Sequence, residues 1–340
     1  MLRLPEFRLH APRNLAAAVD TLAGEGAGAG ASVRALAGGT DLLPNLKRRH
    51  QKASALVALG GLEELRGVRD GGAGRELALG AVETLSALER HPAILARFPA
   101  LARAIASISS PLLRNQGTLG GNVCLDTRCT YYNQDEDWRR SISYCMKAEG
   151  RICWVAPSSP RCWAVQSSDS APMLLALDAR VRLVSAAGER TIPIAELYRD
   201  DGIDYLGKRA DELVREILIP GESEAGRTAT AFVKLRRRGS IDFGVLSVAV
   251  ALRLEAGTIT AARVALGAVA SCPTPATATA DFLLGRPARR ETFRAAAALA
   301  RADATPMDNT DFDPRWRGQV LPVYVERALA AAVGLADAAA

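Results

Sequence analysis

Five of the six cysteines, Cys124, Cys129, Cys145, Cys153 and Cys162, follow a glycine-rich turn, Gly117-Thr118-Leu119-Gly120-Gly121-Asn122, and all five lie within forty residues of its end. Arg128, Arg139, Arg140, Lys147, Arg151 and Arg161 lie among them, with Trp138, Trp154 and Trp163. Four chemistries compete for such a cluster. Disulfides need an oxidising compartment, whereas the opening Met1-Leu2-Arg3-Leu4-Pro5-Glu6 has no apolar secretory core, so a reducing cytosol is expected. Structural zinc favours closely paired thiols, because one tight turn then supplies two tetrahedral ligands, but the last four cysteines are 16, 8 and 9 residues apart. An iron–sulfur cube takes one thiolate at each of four irons and tolerates wide spacing, and nearby guanidinium groups suit its negative charge. Inert buried thiols are the fourth reading, since free cysteine packs as a small hydrophobe. Cys124 has the apolar neighbours Val123 and Leu125, which read as a strand leaving the turn, so it is expected to pack. Cys129, Cys145, Cys153 and Cys162 sit among polar residues and are the candidate ligands.

The elements that position these residues are legible in outline. A chain of 340 residues implies two or three domains, and 49% hydrophobic with 24% charged residues is ordinary globular material. No apolar run is long enough to span a bilayer. The net charge of +6 is carried by dispersed arginine, so neither a nucleic-acid partner nor a membrane surface is expected. Pro5-Glu6-Phe7 reads as extended, and a helix from about Asn14 carries Leu15, Val19 and Leu22 on one face, before a flexible turn at Gly24 to Gly30. A strand, Val33 to Ala37, runs into Gly38-Gly39-Thr40-Asp41, followed by a helix at about Leu43 to Arg49 whose dipole could assist an anion. Strands are predicted at Ala55 to Leu59 and Glu76 to Gly80, and helices after Thr84 and over Pro99 to Ile108. Glycine lets the main chain approach a phosphate closely, and two glycine turns in one chain point to one pyrophosphate-bearing cofactor. Neither turn has the G-x-G-x-x-G or Walker pattern.

Ala37-Gly38-Gly39-Thr40-Asp41-Leu42-Leu43-Pro44, followed some eighty residues later by Gly117-Thr118-Leu119-Gly120-Gly121-Asn122, resembles the two FAD-binding loops of the medium flavoprotein subunits of molybdenum hydroxylases. In that family the second loop runs on to a serine- or proline-rich segment ending in aspartate, similar to Ser167-Ser168-Asp169-Ser170-Ala171-Pro172. Here the two are separated by the cysteine-rich segment, and a flavin module with a four-cysteine insert resembles the beta subunits of 4-hydroxybenzoyl-CoA reductases. The resemblance implies FAD held by Leu36, Ala37, Gly38, Gly39, Thr40, Asp41, Leu42, Leu43, Ile108, Gly117, Thr118, Gly120, Gly121, Asn122 and Asp169. It further implies Val214 packed on the flavin, Lys234 beside the isoalloxazine ring, and a [4Fe-4S] cluster on Cys129, Cys145, Cys153 and Cys162. By its surroundings alone, Lys234 would snorkel to the surface.

The implied fold is α+β: a two-subdomain FAD-binding fold of the vanillyl-alcohol-oxidase/PCMH type and a C-terminal domain of the carbon monoxide dehydrogenase flavoprotein type. Boundaries are placed at 1–57, 58–222 with the insert at about 124–166, and 227–335. After the insert we expect a hairpin about Ala187-Gly188, a short helix from Pro193 to Tyr198, a solvated acidic loop at Asp200 to Tyr205 and a strand at Glu212 to Pro220. A linker at Gly221 to Gly226 precedes strands at Ala231 to Leu235, Val245 to Leu254 and Ile259 to Leu266, a helix at Arg289 to Arg301 and a terminal helix starting at Tyr324. No histidine, whether His10, His50 or His91, falls in a candidate site, and no catalytic acid, base or nucleophile is assigned. The resemblance implies a cytoplasmic electron-transfer subunit taking electrons from ferredoxin and passing them to [2Fe-2S] and molybdopterin subunits in a dimer of heterotrimers. Three other readings stay open: a flavoprotein subunit of another molybdenum hydroxylase, a flavin-only oxidase with inert cysteines, and a zinc-stabilised module binding nucleic acid.

Overall fold

A computed structural model describes residues 2–26, 32–72, 74–221 and 228–335. The first layer is a parallel three-stranded sheet of β1 (Arg8–His10), β2 (Val33–Leu36) and β3 (Ala55–Ala58), with β3 in the middle. Helix α1 (Leu15–Gly26) crosses between β1 and β2 and buries Leu15, Ala18, Val19 and Leu22, the i, i+3, i+4, i+7 stripe of an amphipathic helix. It takes in Gly24 and Gly26 of the anticipated turn, whose next residues, 27–30, lie outside those described. Helix α2 (Leu42–Lys47) connects β2 to β3.

The second unit opens with β4 (Val68–Asp70) and β5 (Leu77–Gly80), then runs through the short helices α3 (Leu85–Leu88), α4 (Pro92–Arg97), α5 (Pro99–Ala106), α6 (Pro111–Arg114), α7 (Leu119–Val123), α8 (Glu136–Ser141) and α9 (Ser170–Ala176). Three of these begin with proline, whose fixed φ suits a first turn and whose missing N–H costs nothing there. Strands β6 (Arg180–Ser185), β7 (Gly188–Pro193) and β8 (Leu213–Ile219) complete an antiparallel five-stranded sheet in the order β4-β5-β8-β6-β7. The anticipated linker after it lies outside the described residues from 222 onward.

The third unit is the antiparallel sheet β12-β11-β10-β9, built from β9 (Ala229–Leu235), β10 (Leu246–Glu255), β11 (Thr258–Gly267) and β12 (Thr274–Pro275). Helices α10 (Thr277–Leu283), α11 (Arg290–Leu299) and α12 (Pro314–Ala332) cover one face. Strand β10 reads as one apolar run because both its faces are buried. Val248, Val250 and Leu252 face α11 and α12, while Ala249 and Ala251 join the core formed with α5 and α9. Burial on both faces ties this unit to the second.

Three expectations need correction. Asn122 to Leu125 is not a strand: Thr118 Oγ1 accepts the Gly121 N–H at 3.1 Å and caps α7, which ends with Cys124 as its C-cap. The terminal helix starts ten residues before Tyr324, at Pro314, where Asp313 caps it by accepting the Trp316 N–H at 2.9 Å. The acidic loop is not plain solvated surface. Asp200 pairs with Arg161, and Gly202 packs so closely on Cys162 that a Cβ there would lie 2.7 Å from Sγ.

Helix α12 also carries Arg317, 1% exposed and without a carboxylate partner among the described residues. It donates to the carbonyls of Val245 at 2.9 Å, Met307 at 2.9 Å and Ala268 at 2.6 Å, stitching α12 to β10, β11 and the loop before the helix. Burial holds its pKa down, to about 10. Replacing Arg317 with Met removes the donor to two buried carbonyls and one part-buried one, and we expect a loss of about 2–4 kcal/mol in urea unfolding with an unchanged m-value.

Candidate functional site

A cavity of about 440 Å³ lies where the three units meet, within the range of cofactor sites. Both glycine turns form its wall. In the first, β2 delivers Ala37, Gly38, Gly39, Thr40, Asp41 and Leu42 to the cavity. In the second, Gly117, Thr118, Gly120, Gly121 and Asn122 do the same at the start of α7. The turns touch each other: a side chain at Gly38 would overlap the Gln116 carbonyl, and one at Gly117 would come within 3.5 Å of Thr40 Oγ1. Gly120 lies against Ala81, with its N–H donating to the Ala81 carbonyl at 2.8 Å, and a Cβ there would sit 2.8 Å from that oxygen. Main chain is therefore packed on main chain, a geometry that only glycine allows.

Ile108, Asp169 and Val214 also line the cavity. Asn122 joins Asp169 to the second turn, because its Oδ1 accepts from Ser168 Oγ at 2.8 Å and from Ser170 Oγ at 2.6 Å. Residues separated by the whole cysteine segment are thus adjacent in space. Leu36 and Leu43 are the exceptions among the loop residues, since they turn away from the cavity. They pack under Gly39 with Phe7, Leu46, Ala53 and Leu56, which supports the turn from below.

Lys234 neither snorkels nor lines the cavity. Its side chain is 4% exposed and its Nζ donates to Asp169 Oδ2 at 2.6 Å, to the Ser107 carbonyl at 3.2 Å and to the Asp242 carbonyl at 3.1 Å. Asp169 stands between it and the cavity. Burial raises the Asp169 pKa to about 6, and Lys234 opposes that shift. Ser167, in the same segment as Asp169, is the cavity residue whose need for a ligand is plainest. Its hydroxyl is buried on the wall without a hydrogen-bond partner, which costs free energy until something in the cavity meets it. Closely apposed glycine main chain, a polar wall group awaiting a partner and a large apolar lining fit a dinucleotide.

The thiols of Cys129, Cys145 and Cys162 share a small buried cluster with Tyr132 and Ala164, and Cys153 is 4% exposed. Burial pushes Cys129 up to about 12; N–H groups of Tyr131 and Tyr132 oppose the shift and the neighbouring Cys145 and Cys162 add to it. Burial likewise pushes Cys162 up to about 11, against the Ala164 N–H, 3.4 Å from Sγ, and Lys147, with Cys153 and Cys145 adding to it. Each of the four thiols therefore lies within electrostatic reach of at least one other. Among the described residues no three His, Cys, Asp or Glu side chains are arranged to hold one metal ion. Cys124 packs on the main core as expected, and it also borders the cavity.

The segment is fastened to the first sheet and to the first glycine turn. Arg128, beside Cys129, pairs with Asp41 and donates to Asn45 Oδ1 at 3.0 Å. Its guanidinium faces the turn. Tyr132 donates its hydroxyl to the His50 carbonyl, and the His50 ring stacks 4.9 Å from Tyr132 with Nε2 3.1 Å from the Gln134 carbonyl. One histidine thus does border a candidate site, with its pKa lowered by burial.

Residues 5–222 match the family described as FAD binding domain in molybdopterin dehydrogenase, and residues 230–332 match the CO dehydrogenase flavoprotein C-terminal domain. The chain is 28% identical to the carbon monoxide dehydrogenase medium chain of Hydrogenophaga pseudoflava, over 96% of this chain and 97% of that one. It is 31% identical to the aldehyde oxidoreductase FAD-binding subunit of Escherichia coli, over 70% of this chain and 75% of that one. A solved carbon monoxide dehydrogenase from Hydrogenophaga pseudoflava superposes with a TM-score of 0.79 at 27% identity, covering 98% of this chain and 99% of that one. The chain belongs to the medium, FAD-binding subunits of the molybdenum hydroxylase family, and its α+β fold is the one expected of them. It is an oxidoreductase subunit, and FAD is its cofactor.

Two outcomes follow for this site. Gly38→Ala drives a methyl into the Gln116 carbonyl, so the purified protein should lose its bound FAD, read from the flavin absorbance, while its circular dichroism is kept. Asp169, with a folded pKa near 6 against 3.8 unfolded, takes up a proton on folding between those values, so its contribution is lost as the pH rises through 6. Wild type should therefore gain about 1 kcal/mol relative to Asp169→Asn between pH 7 and pH 5 in urea titrations.

Proposed function

We propose that the chain is the flavin- and iron–sulfur-bearing subunit of a 4-hydroxybenzoyl-CoA reductase, the enzyme that removes a phenolic hydroxyl reductively to give benzoyl-CoA. One observation carries the reading: four buried cysteines, Cys129, Cys145, Cys153 and Cys162, inserted between the second glycine turn and Asp169 and seated beside the flavin cavity. A medium subunit that served only as a flavin carrier would need no such insert.

The donor set fits a four-iron cube better than zinc. A cube takes one thiolate at each iron and accepts ligands far apart along the chain, whereas structural zinc favours close pairs, and these four cysteines lie 16, 8 and 9 residues apart. Thiols whose pKa burial raises to about 12 and 11 stay protonated unless cationic metal pays for the thiolate. The N–H groups of Tyr131, Tyr132 and Ala164 directed at sulfur are the outer-shell donors that anionic thiolates require. Cube and flavin would supply one- and two-electron transfer. This chain's residues hold, insulate and orient; bond breaking would fall to a molybdopterin subunit, reached through a [2Fe-2S] subunit, in a dimer of heterotrimers supplied by ferredoxin in the cytoplasm. No described helix is long and apolar enough to cross a membrane.

Anaerobically purified protein should contain four irons and four acid-labile sulfides per FAD, and its complex should turn over 4-hydroxybenzoyl-CoA. Zinc in place of iron, or neither metal, would overturn the cluster. Cys145→Ser should remove the broad iron–sulfur absorbance and leave FAD bound, while Cys124→Ser should spare both.

A further inference from the structure

A buried ion pair has neighbours in both the thiol cluster and the wall of the flavin cavity. Lys147 Nζ donates to Asp126 Oδ1 at 2.8 Å, to Thr127 Oγ1 at 2.9 Å and to the Gly202 carbonyl at 2.6 Å, so its three protons are used. The side chains of Lys147 and Asp126 are 6% and 5% exposed. Burial of this kind keeps counter-ions and water from screening the pair.

The two charges face different sites. Lys147 follows Cys145 by two residues, and its Nζ stands 5.0 Å from the ring of Tyr132, which packs with Cys129, Cys145 and Cys162. The Gly202 that it holds is packed directly on Cys162 Sγ. Asp126 borders the flavin cavity, as does Gln51, whose Nε2 donates to Asp126 Oδ2 at 2.7 Å. Tyr205, 5.3 Å from Nζ, closes the same wall. Of the two charges, Lys147 is the one that acts on Cys162 and Asp126 is the one that lines the cavity.

We propose that the Lys147–Asp126 pair tunes the two redox centres in opposite senses, raising the midpoint potential of a cluster on the cysteines and lowering that of the flavin. The proposal rests on the reading of the four cysteines as cluster ligands. A centre that gains negative charge on reduction is favoured by a nearby cation and disfavoured by a nearby anion, and both effects are strong where the surroundings polarise little. Lys147 and Asp126 are positioning residues here, since neither is a ligand.

The test is an anaerobic redox titration of protein loaded with iron and FAD, following the cluster by electron paramagnetic resonance and the flavin by its absorbance. Removing one charge strands the other in the interior, so the main variant is the double substitution Lys147→Gln with Asp126→Asn, which buries no unpaired charge. Its cluster midpoint should fall and its flavin midpoint should rise. Lys147→Arg keeps the cation and should leave the cluster midpoint near the wild-type value. Midpoints that stay put in the double variant, or move together, would overturn the tuning while the cluster itself stands. Wild-type protein with full FAD and no iron would instead overturn the reading of the cysteines, and the tuning with it.

Discussion

The contact on which the rest of the molecule depends is that of backbone on backbone between the two glycine turns. Gly38 lies on the carbonyl of Gln116, and Gly120 lies on Ala81. Such an approach lets two turns from different sheets line one narrow cavity, and it leaves no room for a side chain at either place. Residues of the first and second units maintain it. Leu36 and Leu43 fill the space beneath Gly39, and the Thr118 cap sets the direction of α7, so that Gly120, Gly121 and Asn122 face inward.

The cavity would be open on one side without the C-terminal unit. Strand β10 is buried on both faces, so the third sheet is held against α5 and α9 by packing. That placement brings Lys234 to Asp169 and hides the ion pair from water. Burial alone would drive Asp169 toward its neutral form, and the lysine opposes this, leaving a carboxyl whose pKa of about 6 lies just below neutrality.

The cysteine segment is built in the same manner, as a body tied to its surroundings by polar contacts and little shared apolar core. Its own cluster is small, Tyr132 and Ala164 with three of the thiols, whereas Arg128, Gln134, Arg139 and Lys147 reach out to Asp41, His50, Arg48 and Gly202. A cluster this small gains little hydrophobic stabilisation. Metal would supply what apolar burial does not, and the polar ties fix where that metal would sit relative to the flavin.

The local grammar of the chain was legible in the sequence. The α1 stripe, the hairpin at Ala187-Gly188, the strands of the C-terminal unit, both glycine turns and the cysteine-bearing insert depend on spacing and on backbone freedom, which neighbouring residues decide. Two of the misread elements are places where a distant contact overrides local pattern. Val123-Cys124-Leu125 has strand-like composition, but the Thr118 cap and the contact of Gly120 with Ala81 wind it into helix, and Asp200 to Gly202 looks solvated until Cys162 is placed beneath it. Which side of a turn each residue faces was likewise beyond the linear pattern. Leu36 and Leu43 were indistinguishable from their neighbours in the turn, Ser167 from Ser168, and Lys234 from a surface lysine, because direction is set by what packs on the other side. Residue type and spacing determined which chemistry the chain can support; only the packing of three units against one another decided which atoms face it, since burial and charge are properties of surroundings that lie far apart along the sequence.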